Sequence, residues 1–328
     1  MIRSIFVSPE GRISKDLSSY QISSIVQDGQ GLLWVDFENT QPESDEPIMR
    51  EVFGFHPLAI DDALQEAHVP KLDDWDEYLY IVLYAFEIDE DDHQQLETRE
   101  LDIFVGLHYL VTHHDQPISA LDRVWASLDK DPRYQKNDAD RLLYHLIDEI
   151  VADYLPAVEH LEMIIDQAQD EIFSDPTQNT LSLVFTLKRN VLHLRRVINP
   201  QREVLNKLAR DEFRVIDART RVYFRDVYDH LVRMTDIMEN IRDLVGSALE
   251  TYLSVINNRM NDIMKTLTVI TTLFMPISFI ASFFGMNFFQ PVARLSVWTS
   301  YTGFLITLVV IILLPIGMYS WIRLRKWV

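Results

Sequence analysis

Apolar and polar positions alternate with different periods along the chain, and the change of period marks its parts. Over residues 1–138 the apolar runs are short. Residues 2–7, 32–37, 78–86, 101–107 and 108–114 have the length and the β-branched or aromatic content of strands. Residues 46–54 and 56–65 predict short helices, the second with Pro57 near its start, where a missing N–H costs nothing. Gly106-Leu107-His108 predicts a turn between two strands. The expectation is a small α/β domain.

From residue 139 the apolar spacing lengthens to three and four: Leu142, Leu146, Ile150, Tyr154, Val158, Leu161 and Ile165 share one helical face. Pro156 falls inside this pattern and predicts a kink or a break there. Ser174-Asp175-Pro176 ends it. A second helix is expected over about 178–207, which closes a helical region at 139–210. A third starts near Asp211 and meets no proline before Pro276, which predicts one helix of roughly 70 residues. At 1.5 Å per residue its length is about 100 Å. One chain cannot readily bury such a stalk, so oligomerisation around it is expected.

Two stretches near the end, 266–293 and 295–322, hold no charged residue. About 20 apolar residues suffice to cross a bilayer as a helix. The expected spans are 266–286, as the end of the long helix (211–289), and 299–321, joined by an extracytoplasmic loop at 287–298 that is too short to cross again. Buried core helices of a soluble protein fit poorly with uncharged runs of this length. Arg259 and Lys265 flank one span, Arg323, Arg325 and Lys326 in the tail 322–328 flank the other, and only Arg294 lies in the loop. The excess of cytoplasmic lysine and arginine seen in membrane proteins then puts both termini in the cytosol. Trp298, Tyr301, Trp321 and Trp327 sit where interfacial aromatic anchors belong.

Charge adds a second asymmetry. The 328-residue chain carries 50 acidic and 30 basic residues, and every acidic one lies at or before Asp262. An acidic body excludes nonspecific nucleic-acid binding and suits a surface that handles cations, although solubility alone accounts for such a balance as well. There is no cysteine, hence no disulfide and no thiolate metal site. The N-terminal MIRSIFVSPEGR has too short an apolar run for a signal peptide and reads as a first strand. Only nine glycines occur, with no phosphate-cradling loop and no H-E-x-x-H motif, so a nucleotide site and an enzyme are not expected. Adjacent His113 and His114 would point to opposite faces of a strand and so do not form a ligand pair.

On the first span Asn261, Met264, Leu267 or Thr268, Thr271, Met275 and Ser278 follow steps of three and four and share a face. Ile263, Ile270, Leu273, Ile277 and Ile280 lie opposite, suited to lipid or to the second helix. A stripe of small, polar and methionine residues fits helix–helix packing and fits the lining of a pore built by several copies equally well. The span then closes on SFFGMNFFQP, residues 282–291. Glycine permits close approach or a turn, and a ring of Asn287 carboxamides would hydrogen-bond the water of an arriving ion without trapping it. Magnesium suits such a filter because it sheds water reluctantly and prefers oxygen.

FFGMNF (283–288) after an apolar span, with a second span and the basic tail RLRKWV, resembles the CorA family of magnesium channels. FGFHPLAIDDAL (53–64), DRLLYHLIDEIVADY (140–154), LKRNVLHLRRVINPQREVL (187–205) and VYFRDVYDHL (222–231) are similar too, so the resemblance covers nearly the whole chain. It implies a funnel-shaped homopentamer with five copies of the long helix around the pore. Gly285, Met286 and Asn287 then form the outer filter, Asn287 facing hydrated magnesium, and Asn261, Met264, Leu267, Thr271, Met275 and Ser278 line the pore. Asp62 and Asp226 fall where the family binds regulatory magnesium between neighbouring cytosolic domains. The implied activity is passive magnesium uptake, with cobalt and nickel also admitted, no organic cofactor, and no ATP dependence. The sequence departs from the family pattern in four places: Phe284 replaces a usual tyrosine, Ser278 a usual threonine, the loop FFQPVARLSVW has Arg294 but no acid, and Pro156 interrupts a helix that is usually unbroken. A zinc transporter of the same superfamily, or a membrane-anchored metal-sensing scaffold that moves no ion, are the alternative readings.

Overall fold

A computed structural model of the chain describes residues 1–65, 69–88, 96–128, 138–286 and 300–325. Residues 1–249 form one compact unit and residues 250–328 a second.

In the first unit seven strands among the described residues make one sheet: β1 (Ile2–Val7), β2 (Ile13–Lys15), β3 (Leu32–Glu38), β4 (Lys71–Asp74), β5 (Leu79–Ile88), β6 (Leu96–Val105) and β7 (Tyr109–His114). Their spatial order is β2-β1-β3-β7-β6-β5-β4. Only the β3–β7 pair is parallel, with Asp36 opposite Thr112 and Phe37 opposite His113. Trp34, Phe37, Tyr80 and Phe104 are fully buried and supply the largest side chains of the sheet core. Gly31, entering β3, has φ 84°, and a Cβ there would come within 2.6 Å of the Val7 carbonyl oxygen, so only glycine fits.

The strand runs expected from the sequence all appear, with ends moved by a residue or so, except that β6 begins five residues earlier, at Leu96. Two helices were hidden in polar sequence: α1 (Ser19–Asp28), closed at its start by a Ser18/Gln21 capping box, and α4 (Ser119–Leu128). The apolar stretch at 46–54 is split. A short helix, α2 (Pro42–Pro47), runs into a wider helical turn over Ile48–Val52, and Gly54 stands at φ 69°. Next comes α3 (Pro57–Leu64), where His56 Nδ1 accepts from Leu58 N at 3.2 Å and Pro57 takes the first turn as expected.

Five helices complete the described chain: α5 (Ala139–Ala152), α6 (Tyr154–Ser174), α7 (Gln178–Arg210), α8 (Ala218–Gly285) and α9 (Tyr301–Leu324). The break between α5 and α6 has the expected cause, since the Pro156 ring would collide with the Ala152 carbonyl four residues back. Gln201 of α7 is fully buried and ties three elements together. Its carbonyl oxygen accepts from Tyr84 N at 3.2 Å, its amide meets Tyr154 Oη, and Tyr154 Oη donates to the Tyr84 carbonyl at 2.5 Å.

The long helix starts at Ala218 rather than near Asp211. Asp217 is the reason: its carboxylate accepts from Arg219 N at 2.7 Å, capping the first turn, while its own N–H donates to buried Asp140 at 2.9 Å. From there α8 runs 68 residues without interruption, through Pro276.

In the second unit α8 continues to Gly285, and α9 follows, capped by Ser300, whose hydroxyl accepts from Gly303 N at 3.2 Å. Both helices are long and apolar enough to cross a membrane, and their most apolar stretches are almost wholly unburied within the chain. Such a surface is compatible with lipid or with other protein copies, and incompatible with water.

Candidate functional site

On α8 the positions Asn261, Met264, Leu267, Thr271, Met275 and Ser278 fall within an arc of about 120° at 100° per residue. All six are exposed. Thr271 Oγ donates to the Leu267 carbonyl at 2.9 Å, which leaves its methyl group and oxygen lone pairs along the stripe. The half-covered positions lie elsewhere: Val269, Thr272, Leu273, Pro276, Ile277 and Ile280 on α8, and Gly303, Thr307, Ile311, Leu314 and Met318 on α9, with Ile322 buried. A groove of about 710 Å³ is lined by Asn258, Lys265 and Thr272, by Asn261 and Met264 of the stripe itself, and by Met318 and Trp321 of α9. The stripe therefore borders the groove toward α9 at its start, through Asn261 and Met264, while Leu267, Thr271, Met275 and Ser278 lie outside that groove.

Two further positions extend the stripe and were not singled out from the sequence, Asn257 and Ser282, and Thr268 falls in register with them. The seven-residue spacings 257–264–271–278–285 and 261–268–275–282 carry them, a regularity the pairwise three-and-four steps concealed.

The helix stops at Gly285, which lies on the stripe seven residues after Ser278. Among the described residues a Cβ on Gly285 would meet nothing within 4 Å. Met286 follows, exposed, its N–H reaching the Phe283 carbonyl at 3.3 Å. Asn287, the third filter residue, lies outside the described residues, as do Arg294 and Trp298 of the loop and Lys326 and Trp327 of the tail.

The two acids expected to hold regulatory magnesium both sit in the first unit. Asp62 lies in the last turn of α3 with its side chain half exposed, and Lys71 of the edge strand β4 places its Nζ 2.5 Å from Asp62 Oδ2 and 3.1 Å from Asp73 Oδ2. Asp226 is exposed on α8. It is close enough to Asp148 and Tyr144 of α5 to bias both. Burial raises the pKa of Asp148, and the charges of Glu149 and Asp226 add to this, against the Tyr144 hydrogen bond and the His230 charge. Tyr144 is pushed up to about 12 by burial first, then by Asp148 and Asp226. No three His, Asp or Glu side chains gather into a metal-holding group among the described residues. Two accessible carboxylates on separate elements suit an ion that keeps most of its water and bridges surfaces, as magnesium does.

His113 and His114 point to opposite faces of β7, as expected for neighbours on a strand. His114 Nε2 lies 3.3 Å from Asp36 Oδ1. Asp36 also takes Arg3 at 2.7 Å and Thr112. Burial pushes the Asp36 pKa up, but His114, Arg3 and Thr112 outweigh it and the net shift is downward. On the other face His113 stands between Asp45 at 3.8 Å and Asp102 at 3.9 Å, and Tyr80 Oη donates to Asp102 at 2.5 Å. Burial raises Asp102 to about 6 against the hydrogen bonds from His113 and Tyr80. These histidines belong to paired structural networks.

The molecule thus defines a membrane protein: an acidic body, one helix of 68 residues and a second apolar helix, with a polar stripe uncovered on the first span. The profile of the family described as "CorA-like Mg2+ transporter protein" matches residues 29–325. The cobalt/magnesium transport protein CorA of Thermotoga maritima is 36% identical over 283 residues, 84% of this chain and 78% of that protein. The complete structure of the CorA magnesium transporter from Methanocaldococcus jannaschii superposes with a TM-score of 0.82 at 22% identity, covering 100% of this chain and 99% of that one. The ZntB cytoplasmic domain from Vibrio parahaemolyticus shares the fold at a TM-score of 0.61 and 13% identity, over 79% of this chain and 98% of that domain. The chain belongs to the CorA-like Mg2+ transporter family. It is a divalent-cation transporter of the membrane and not an enzyme.

Proposed function

We propose that the protein is a passive magnesium channel gated by intracellular magnesium. In this reading five copies assemble in the plasma membrane of a prokaryote with both termini in the cytosol, and their α8 helices surround the pore. Asn261, Met264, Leu267, Thr271, Met275 and Ser278 line it, and Gly285, Met286 and Asn287 form the outer filter. Magnesium held between neighbouring cytosolic domains by Asp62 and Asp226 neutralises repulsion between acidic bodies and favours the closed ring, and its loss loosens the ring. Cobalt and nickel pass by the same route. A membrane potential supplies about 4.6 kcal/mol per 100 mV for a doubly charged ion, so no ATP is needed.

The observation that carries the reading is the stripe on α8. It runs from Asn261 to Ser278, mixes polar and small groups with Met264, Leu267 and Met275, is exposed along its whole length, and borders the groove toward α9 only at its start. A polar surface of this length facing lipid would be costly, whereas several copies turning it inward make a wet path.

The test is ion uptake by purified protein in liposomes, with magnesium and zinc compared, an imposed pH gradient, and an Asn287→Ala control. Magnesium uptake that falls about tenfold or more in Asn287→Ala and ignores the pH gradient supports the channel. Zinc uptake driven by the gradient with little magnesium entry supports the second reading, a zinc transporter. Arg294, in a loop where the family pattern carries acids, weakens the preference for magnesium and is the observation behind that second reading.

A further inference from the structure

Asp62 is not free to wait for a divalent ion. The Lys71 ammonium already sits 2.5 Å from its Oδ2, and the same ammonium reaches Asp73 Oδ2 at 3.1 Å. The arrangement is built on both sides. Lys71 and Asp73 both belong to β4, which pairs with β5 through Lys71 opposite Val82 and Asp73 opposite Tyr80. The Lys71 Nζ lies 4.9 Å from the centre of the Tyr80 ring, and that ring is fixed beneath it by its hydroxyl bond to Asp102. The ammonium therefore has three favourable neighbours in a place set by the edge of the sheet. Its pKa is raised despite partial burial, since the hydrogen bonds and charges of Asp62 and Asp73 outweigh the desolvation.

A partly exposed ion pair of this kind contributes little to stability. Its consequence for a divalent ion is larger. An ion approaching Asp62 meets a positive charge held within one side-chain length, and the carboxylate lone pair facing Lys71 is already in use. Magnesium held through its water is bound weakly by each carboxylate, so a fixed charge nearby changes its occupancy in proportion.

We propose that Lys71 is a tethered competitor for the regulatory cation site, occupying Asp62 when intracellular magnesium is scarce and setting the concentration at which magnesium takes over. This inference rests on the reading of Asp62 as a regulatory ligand. The ammonium acts as an internal monovalent stand-in: it neutralises half of the Asp62–Asp73 pair within one chain, yet it cannot bridge to an acid such as Asp226 on a neighbouring copy in the way a hydrated divalent ion can. Low magnesium leaves the acid satisfied inside its own subunit, and high magnesium exchanges that bond for one between subunits. Removing the ammonium removes the competition, and the ring should close at lower magnesium.

The experiment uses the full chain in lipid nanodiscs. Magnesium is titrated while the chymotryptic cleavage rate reports closure and calorimetry reports binding. Lys71→Met keeps the length of the stem over Tyr80 and deletes the charge, and it should lower the magnesium midpoint about three- to tenfold. Lys71→Arg keeps the charge and should leave the midpoint within about twofold. Asp62→Asn should raise it more than about tenfold. A Lys71→Met midpoint equal to that of the unaltered protein, with Asp62→Asn still shifted, overturns the role of Lys71 and spares the reading of Asp62. An unshifted Asp62→Asn overturns both. If Lys71→Met and Lys71→Arg move the midpoint equally, the side chain acts by shape rather than charge, and the competitor is likewise refuted.

Discussion

The helix α8 carries two stripes of identical spacing and opposite chemistry. In its first half Phe224, Val227, Leu231, Met234, Met238, Ile241, Val245, Ala248 and Tyr252 step by three and four, and all are buried. In its second half Asn257, Asn261, Met264, Thr268, Thr271, Met275, Ser278, Ser282 and Gly285 step the same way, and all are exposed. The step from Tyr252 to Asn257 is five residues, so the register shifts between them and the second stripe is not the first one prolonged. The first stripe is a seam that the chain fills with its own apolar side chains in water. The second cannot be driven together by apolar burial, because lipid is as apolar as any side chain, and small and polar groups are what membrane helices use to meet. Spacing by sevens thus tells that a face has a partner. The residue types tell whether that partner is the same chain or, in the proposed assembly, another copy around water.

The comparison breaks most visibly if the first stripe can be damaged without consequence. Ile241 is fully buried. Ile241→Ala should destabilise the protein by about 3 kcal/mol through lost burial and a residual cavity, read as a lower denaturation midpoint. Ser278→Leu on the second stripe should do the reverse. It leaves the denaturation midpoint of the body in place and lowers ion uptake about tenfold by narrowing and drying the path. An uptake equal to that of the unaltered protein would remove Ser278 from the pore.

Much of this was legible beforehand, and the reason differs by region. The spans were read from missing charge, and the α5–α6 break from one proline, because each follows from a single local constraint. The strands were read from runs such as LLWVDF, where β-branched and aromatic residues are dense. The helix α1 was not, because its sequence SYQISSIVQD buries only Ile22 and its signal is a capping box in otherwise polar sequence. The start of α8 was misplaced because Asp211 and Asp217 are equally good caps by composition, and only the tertiary bond from Asp217 N to Asp140 selects between them. The partner of Asp62 was invisible for a similar reason: Lys71 is nine residues away, and only the docking of α3 against the edge strand brings the two together.

The polar groups of the body sharpen the contrast with those of the stripe, since here polarity is paired inside the chain. Asp102 is held near a pKa of 6, above its ordinary value, by burial. A carboxyl group with a raised folded-state pKa binds more protons in the native protein than in the unfolded chain. Its contribution to stability is complete below the ordinary carboxylate range and is lost as pH rises through about 6. Between pH 5 and pH 7.5 that loss should be about 1 kcal/mol, and Asp102→Asn should flatten the stability profile by the same amount. His114 contributes a slope of the same sign, because its pKa is raised by Asp36, against burial. The variant therefore flattens the profile without abolishing its slope. An unchanged profile would mean that the Asp102 carboxyl is ionised throughout this range.

The smallest expected effect is the most exacting for the geometry. Ile270 lies on α8 about a third of a turn from the middle of the stripe and is 48% exposed within the chain. If the stripe faces a pore, Ile270 faces lipid or a neighbouring span, and Ile270→Leu conserves volume and apolarity there. Both stability and uptake should stay within about 0.5 kcal/mol of the unaltered protein. The adjacent position, Thr271, is rotated by about 100° onto the stripe. Thr271→Leu, which replaces a polar group with an apolar one of larger volume, should lower uptake as Ser278→Leu does. Uptake sensitive to Ile270→Leu and indifferent to Thr271→Leu would turn the helix by that angle, and the polar face would then be a packing seam between spans.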